Sequence, residues 1–244
     1  HDTSFLDVQG LTKALTLMNS SFDSISNLPS ALPLTGLGEQ AVLDLLAPQV
    51  LGRAAQLGAT TSMAHMDPPT PWITWAMAMW NASRNQNLLH EATSPFATQA
   101  EKLVLDWLAP FFGMQGGHFC SGSSIANLTG IWAARDIAGI RRVVTSDAAH
   151  LSILKACRLL GIELITVPTD ERGRIDLKQL PDLASTCLVL NAGTTATGAI
   201  DTLELCGQAA WTHVDAAWAG PLRLSPSYSS RLNGIEAADS VAVS

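Results

Sequence analysis

Trp-Thr-His-Val-Asp-Ala-Ala-Trp-Ala-Gly-Pro, residues 211–221, is the stretch whose reading decides the fold. Residues 211–214 read as the end of a buried strand, and Asp215 stands where that strand runs out. The small residues Ala216, Ala217, Ala219 and Gly220 follow directly. An aspartate at the end of a core strand is costly unless a donor or a cation meets it. In open α/β sheets, ligands settle in the crevice beyond the carboxyl ends of the strands. Asp215 therefore either caps a turn or faces a planar aromatic cation lying over the alanines.

From Gly116 onward, short apolar runs alternate with helical patterns. Strands are expected at residues 118–120, 142–145, 163–167, 187–190, 211–214 and 240–243. Helices are expected at 123–138, with Ile125, Leu128 and Trp132 on one face, at 149–160 closing on Gly161, and at 176–184 despite Pro181. That alternation predicts an α/β fold with a mostly parallel sheet covered by helices on both faces. Residues 1–94 read as a helical N-terminal segment, with helices near 11–18, 39–47 and 72–84, and 95–244 as the α/β domain. Ser94 and Pro95 open a further helix, proline being well suited to a first helical position. Trp72, Trp75, Met77, Met79 and Trp80 crowd one helix and suit a core or a subunit interface.

Composition narrows the function classes. The chain has 244 residues, 47% hydrophobic and 14% charged, with a net charge of −7. An acidic balance disfavours a nucleic-acid surface, which needs clustered Lys and Arg. No apolar run approaches the roughly 18 residues of a membrane span, and no signal-peptide pattern opens the chain. Cys120, Cys157, Cys187 and Cys206 lack metal-type spacing, so no metal site is expected and buried reduced thiols of a cytoplasmic protein are.

Several strand ends carry polar chemistry. Gly122 permits a tight turn into a helix headed by Ser123 and Ser124, either an anion site or an ordinary serine cap. The dinucleotide spacing G-x-G-x-x-G is absent. Residues 122–126 also approximate a nucleophile elbow with Ala126 in the last place, making Ser124 a candidate hydrolase nucleophile with Asp201 and His213 in suitable chain order. His213 inside a strand is an unusual place for a mobile base. His150 follows a strand at the start of the next helix, and Thr194 and Thr195 follow another. A phosphate-type loop, a histidine, a threonine pair and an aspartate thus converge on one sheet edge.

These residues resemble the pyridoxal-phosphate-dependent group II amino-acid decarboxylases. The resemblance runs from about His65 to Ser244 through five ordered motifs. They are Cys-Ser-Gly-Ser-Ser-Ile-Ala-Asn-Leu, Asp-Ala-Ala-His-Leu-Ser, Gly-Thr-Thr-Ala-Thr-Gly-Ala-Ile-Asp, His-Val-Asp-Ala-Ala-Trp-Ala-Gly and Ala-Asp-Ser-Val-Ala-Val-Ser. It implies the aspartate-aminotransferase-like fold (fold type I) and pyridoxal 5′-phosphate as cofactor. Ser123, Ser124 and Ser244 would hold the phosphate, and His150 would stack on the ring. Thr195 would stand beside the phenolic oxygen, Asp215 would pair with the ring nitrogen, and Ala217 would pack on the opposite face. Thr70 aligns near the substrate, with His65, Asp67 and the tryptophan cluster as further suggestions. Ile125 replaces the family's usual acidic residue.

The resemblance further implies an L-amino-acid substrate, carbon dioxide release and a homodimer with its sites at the interface. The family's cofactor-bearing lysine follows soon after the motif that ends here at Ser244, and Lys13, Lys102, Lys155 and Lys178 all fall on expected helices away from the crevice edge. These residues are therefore expected to belong to a longer polypeptide. The alternatives are another enzyme of the same fold (an aminotransferase or carbon–sulfur lyase), the Ser124 hydrolase, and a non-catalytic fragment.

Overall fold

A computed structural model describes residues 6–23, 27–31, 34–62, 70–85, 87–88 and 90–244. His65 and Asp67 lie outside the described residues. The chain divides into two compact units, His1–Arg84 and Asn85–Ser244.

The first unit holds helices α1 (Val8–Leu17), α2 (Glu39–Val50) and α3 (Trp72–Arg84). Asp7 caps α1 by accepting from the N–H of Gln9 at 2.9 Å, and an ion pair of 2.6 Å between Lys13 and Asp44 ties α1 to α2. The aromatic residues of α3 are not core: Trp72, Trp75 and Trp80 are all exposed.

The second unit opens with α4 (Pro95–Leu108) and continues through α5 (Ser123–Ile137), β1 (Arg142–Ser146), α6 (Leu151–Leu160), β2 (Glu163–Val167), β3 (Cys187–Asn191), β4 (Trp211–Ala216) and β5 (Ser240–Val243). The five strands are all parallel, in the order β2-β1-β3-β4-β5. The chain therefore winds outward from β1 to β2, then crosses back to β3 on the other side of β1. The crevice at that reversal is where α/β sheets place ligands.

Alternation along the strands assigns the two faces of the core. Val143, Cys187 and Val189 pack with Ile131 and Ala134 of α5 and Ile153, Ala156 and Cys157 of α6. Val144, Leu188, Leu190 and Val214 pack on the other side with Phe112, Leu203, Leu232 and Ile235. Strands buried on both faces need continuous apolar runs, which explains Cys-Leu-Val-Leu in β3. The helical cover is α on the first face and a series of short 3₁₀ turns on the second, at Leu203–Leu205, Gly220–Leu224, Ser229–Leu232 and Ile235–Ala237.

Four expectations need correction. Residues 118–120 form no strand; the N–H of Phe119 is taken instead by Glu101 Oε1 at 2.8 Å. Residues 176–184 make only a 3₁₀ turn, Leu177–Gln179, because Leu180 precedes Pro181 and is held extended. The buried face of α5 is Asn127, Gly130, Ile131 and Ala134, while Ile125 and Trp132 are exposed. Small residues let that face approach the sheet, and Trp132 instead donates to Asp136 at 2.6 Å. Of the four free cysteines, Cys120 is exposed and the other three are buried. Burial pushes the Cys157 thiol up to about 11 and keeps it unreactive.

Leu188 is fully buried at the centre of the sheet. Leu188→Ala is expected to destabilise the full-length protein by about 2–5 kcal/mol, read as a lowered urea midpoint at unchanged slope.

Candidate active site

Gly122, with φ 143° and ψ 167°, precedes α5 in a conformation that favours glycine. It is Gly122, not a serine, that occupies the cap position, so Ser123 and Ser124 are the first two helical residues. The N–H groups of Ile125 and Ala126 both turn to the Gly122 carbonyl, at 3.0 and 3.1 Å. The Ser123 and Ser124 N–H groups thus lead the helix, the geometry that attracts an anion. Ser123 and Ser244 open on one cavity of about 500 Å³, which Cys120, Gly122 and Val243 also line.

β4 extends further than the sequence pattern suggests, through Asp215 to Ala216. Asp215 is 7% exposed and lies in register with Asn191 of β3 and Ala242 of β5. Its Oδ2 accepts from Asn127 Nδ2 at 2.8 Å, and its Oδ1 accepts from the Ala217 N–H at 3.2 Å. Asp215 therefore does cap the turn after β4, but through a long contact that leaves Oδ1 the less engaged oxygen.

Asn127 carries the hydrogen bonding inward. Its Oδ1 meets His213 Nε2 at 2.9 Å, and its Nδ2 also donates to Ser152 Oγ at 2.9 Å. His213 Nδ1 meets Ser240 Oγ at 2.8 Å, and Ser240 Oγ accepts from Trp211 Nε1 at 2.9 Å. Outward, Ser152 Oγ lies 2.8 Å from His150 Nδ1, which also accepts the Ser152 N–H at 3.2 Å and so caps α6. The His150 ring itself is exposed.

The loop after β3 completes the edge. Asp201 accepts from the N–H groups of Ile175 at 2.6 Å and Asn191 at 2.7 Å, and from Asn191 Nδ2 at 3.0 Å, closing the loop that bears Thr194 and Thr195. Burial raises the Asp201 pKa against the pull of these donors. Thr194 is buried and bonded to Thr197 at 2.8 Å, whereas Thr195 is exposed. A Cβ on Gly193 would fall 3.0 Å from the Trp218 Cβ, so this loop packs closely on the turn after Asp215. Thr70 lies in the first unit, where its hydroxyl accepts from Trp75 Nε1 at 2.8 Å.

The hydrolase reading fails on this geometry. Both ring nitrogens of His213 are held by Ser240 and Asn127, and the Asp201 carboxylate is occupied by Ile175 and Asn191. Neither is available to activate Ser124. Asn127, Ser152, Ser240 and Trp211 carry no role in the sequence reading. One signal was present: a polar Asn127 shares the i, i+3, i+4, i+7 face with Gly130, Ile131 and Ala134.

Burial pushes the His213 pKa down to about 4 from 6.5, with the Asp215 charge opposing. Between those values the unfolded chain takes up a proton that the native state does not, so stability falls as pH drops from about 6.5 toward 4. The full-length protein is expected to lose thermal stability over that window, and His213→Gln to flatten the slope. Equal slopes in a pH series of melting curves would contradict this.

Known proteins share sequence and fold with this chain. Residues 136–244 match the pyridoxal-dependent decarboxylase conserved domain. The chain is 30% identical to an L-2,4-diaminobutyrate decarboxylase of Acinetobacter baumannii, over 89% of the chain and 52% of the relative. It is 29% identical to an aspartate 1-decarboxylase of Aliivibrio fischeri, over 95% and 52%. Among solved structures, the glutamate decarboxylase domain of a Vibrio parahaemolyticus protein superposes with a TM-score of 0.79 at 26% identity, covering 98% of this chain and 57% of that one. The Oryza sativa enzyme TDC, solved with PLP and tryptamine, gives 0.76 at 25% identity, covering 89% and 55%. The chain spans about half the length of the curated relatives it matches. Motifs, parallel sheet and matched domain agree: residues 136–244 carry a pyridoxal-dependent decarboxylase domain, and the chain is similar to the group II decarboxylases.

Proposed function

We propose that the full-length protein is a pyridoxal-phosphate-dependent decarboxylase that converts an L-amino acid to its amine and carbon dioxide. The observation that carries this reading is Asp215, a buried carboxylate at the end of β4 with one oxygen tied to Asn127 at 2.8 Å and the other meeting the Ala217 N–H at the longer distance of 3.2 Å. The remaining residues fit a phosphorylated, planar, cationic ring. Ser123 and Ser124 at the head of α5, with Ser244 on the same cavity as Ser123, suit the phosphate. His150 and Ala217 suit the two ring faces, Thr195 the phenolic oxygen, and Thr70 the substrate side.

When bound, the cofactor supplies an electron sink for the pair released as the carboxylate leaves. The chain's part is to hold and tune it. Asp215 keeps a proton on the ring nitrogen by favouring the charged form. Asn127 keeps Asp215 aimed, and the helix start fixes the phosphate without any moving part. None of Lys13, Lys102, Lys155 or Lys178 enters the hydrogen bonding around Asp215; Lys102 and Lys155 are exposed on α4 and α6.

A homodimer with its sites at the interface is part of the proposal, supported by the exposed Trp72, Trp75 and Trp80 of α3 and Trp107 of α4. A cytoplasmic location is proposed as well, supported by the free cysteines. No described helix is long and apolar enough to cross a membrane.

The test is carbon dioxide release and amine formation by the full-length protein with pyridoxal phosphate, over a panel of L-2,4-diaminobutyrate, aspartate, glutamate and aromatic amino acids. One of these should be decarboxylated; oxo-acid formation alone would favour an aminotransferase. Asp215→Ala should retain some bound cofactor but lose on the order of 10²-fold or more in kcat. Ser124→Ala should chiefly weaken cofactor affinity. Near-normal turnover in Asp215→Ala would remove the assignment.

A further inference from the structure

The hydrogen bonds around Asn127 form a branched chain in which every proton has one allowed place. Trp211 Nε1 can only donate, so Ser240 Oγ accepts from it and has its own proton free for His213 Nδ1. His213, kept neutral by burial, carries its proton on Nε2 because the Asn127 oxygen facing it can only accept, which leaves Nδ1 to accept from Ser240. At the other end the Asp215 carboxylate can only accept, which fixes the amide: Nδ2 faces Asp215 and Ser152, and Oδ1 faces His213. A flipped amide would set oxygen against carboxylate. The Ser152 hydroxyl, having accepted from Asn127, has its proton left for His150 Nδ1.

Resting on the reading that Asp215 and His150 hold the cofactor ring, we propose that Asn127 is a positioning residue that sets both groups at once. One amide hydrogen orients Asp215 and leaves its Oδ1 for the ring nitrogen. The other acts through Ser152 on the orientation of His150. The Trp211–Ser240–His213 chain, half-buried at Trp211 and Ser240 and fully buried at His213, locks the amide so that both hydrogens point outward to the site. Gly130 belongs to the device, because a Cβ there would fall 2.5 Å from His213 Nδ1 and 2.6 Å from its Cε1. Only a glycine on that turn of α5 lets the imidazole reach Asn127. A purely structural Asn127 would satisfy buried partners without coupling the two site residues, and the two roles separate experimentally.

The test uses the full-length protein with ¹⁵N-labelled histidine, first without cofactor. His213 should show the Nε2–H tautomer in the wild type and in Ser240→Ala, and switch toward Nδ1–H in Asn127→Leu. With pyridoxal phosphate, Asn127→Leu should shift the visible absorbance of the bound cofactor. It should also lower kcat about tenfold or more, with the KM for the amino acid within about threefold. Ser152→Ala should lower kcat by about two- to fivefold without the absorbance shift. The double variant should be no worse than Asn127→Leu alone, since the Ser152 arm runs through Asn127. An unchanged His213 tautomer with kcat within about twofold in Asn127→Leu would overturn the proposal, as would full additivity of the two substitutions. If Asn127→Leu does not fold, the isosteric Asn127→Asp sets two carboxylates together and should weaken cofactor binding about tenfold or more; wild-type affinity there would overturn the proposal equally. A wild-type protein that binds no pyridoxal phosphate would defeat the proposed function instead, while the cofactor-free tautomer still decides how Asn127 is held.

Discussion

The 2.8 Å hydrogen bond from Asn127 to Asp215 is the contact on which the site depends. It joins the second turn of α5 to the end of β4 and places a carboxylate where burial alone would reject it. Both ends rest on the core. Asn127 is held because α5 lies against β4 and β5, with Ile131 and Ala134 in the core on that face of the sheet. Asp215 is held because β4 is paired on both sides, to β3 and β5. Core packing and site chemistry are thus one arrangement seen at two depths.

A second consequence concerns electrostatics. Burial removes the proton that His213 would otherwise hold near neutral pH. A neutral imidazole can pass a hydrogen bond through, accepting on Nδ1 and donating on Nε2, whereas a charged one would donate on both sides and leave Ser240 with two donors facing it. The histidine that resembled a catalytic base in sequence acts in the fold as a fixed link. Its place inside β4, in register with Val189 and Ser240, already argued against mobility.

Much of the architecture was legible in the residues because it follows from periodicity. β2 and β5 have the bounds their apolar runs suggest, and β1, β3 and β4 extend by one or two residues at the carboxyl end. Those extra residues, Ser146, Asn191, Asp215 and Ala216, are mostly polar, and polarity hid their strand character. They lie in the strand because side chains satisfy them, as Asn191 is satisfied by Ser146 and Asp201. The face of α5 was misread for a related reason. Trp132 outweighs Gly130 on any hydropathy scale, yet close helix–sheet approach favours the small residue. Hydrogen bonding between residues distant in sequence, such as Asn127 with His213 and Asp215, leaves no periodic trace at all.

The account turns on one claim, that Asp215 is arranged to keep a cofactor ring nitrogen protonated. The direct measurement is the ¹⁵N resonance of ring-labelled pyridoxal phosphate bound to the full-length protein near neutral pH. A protonated ring nitrogen in the wild type that loses its proton in Asp215→Ala is the result the account requires. An unprotonated ring in the wild type, or a resonance unmoved by removing Asp215, would contradict it.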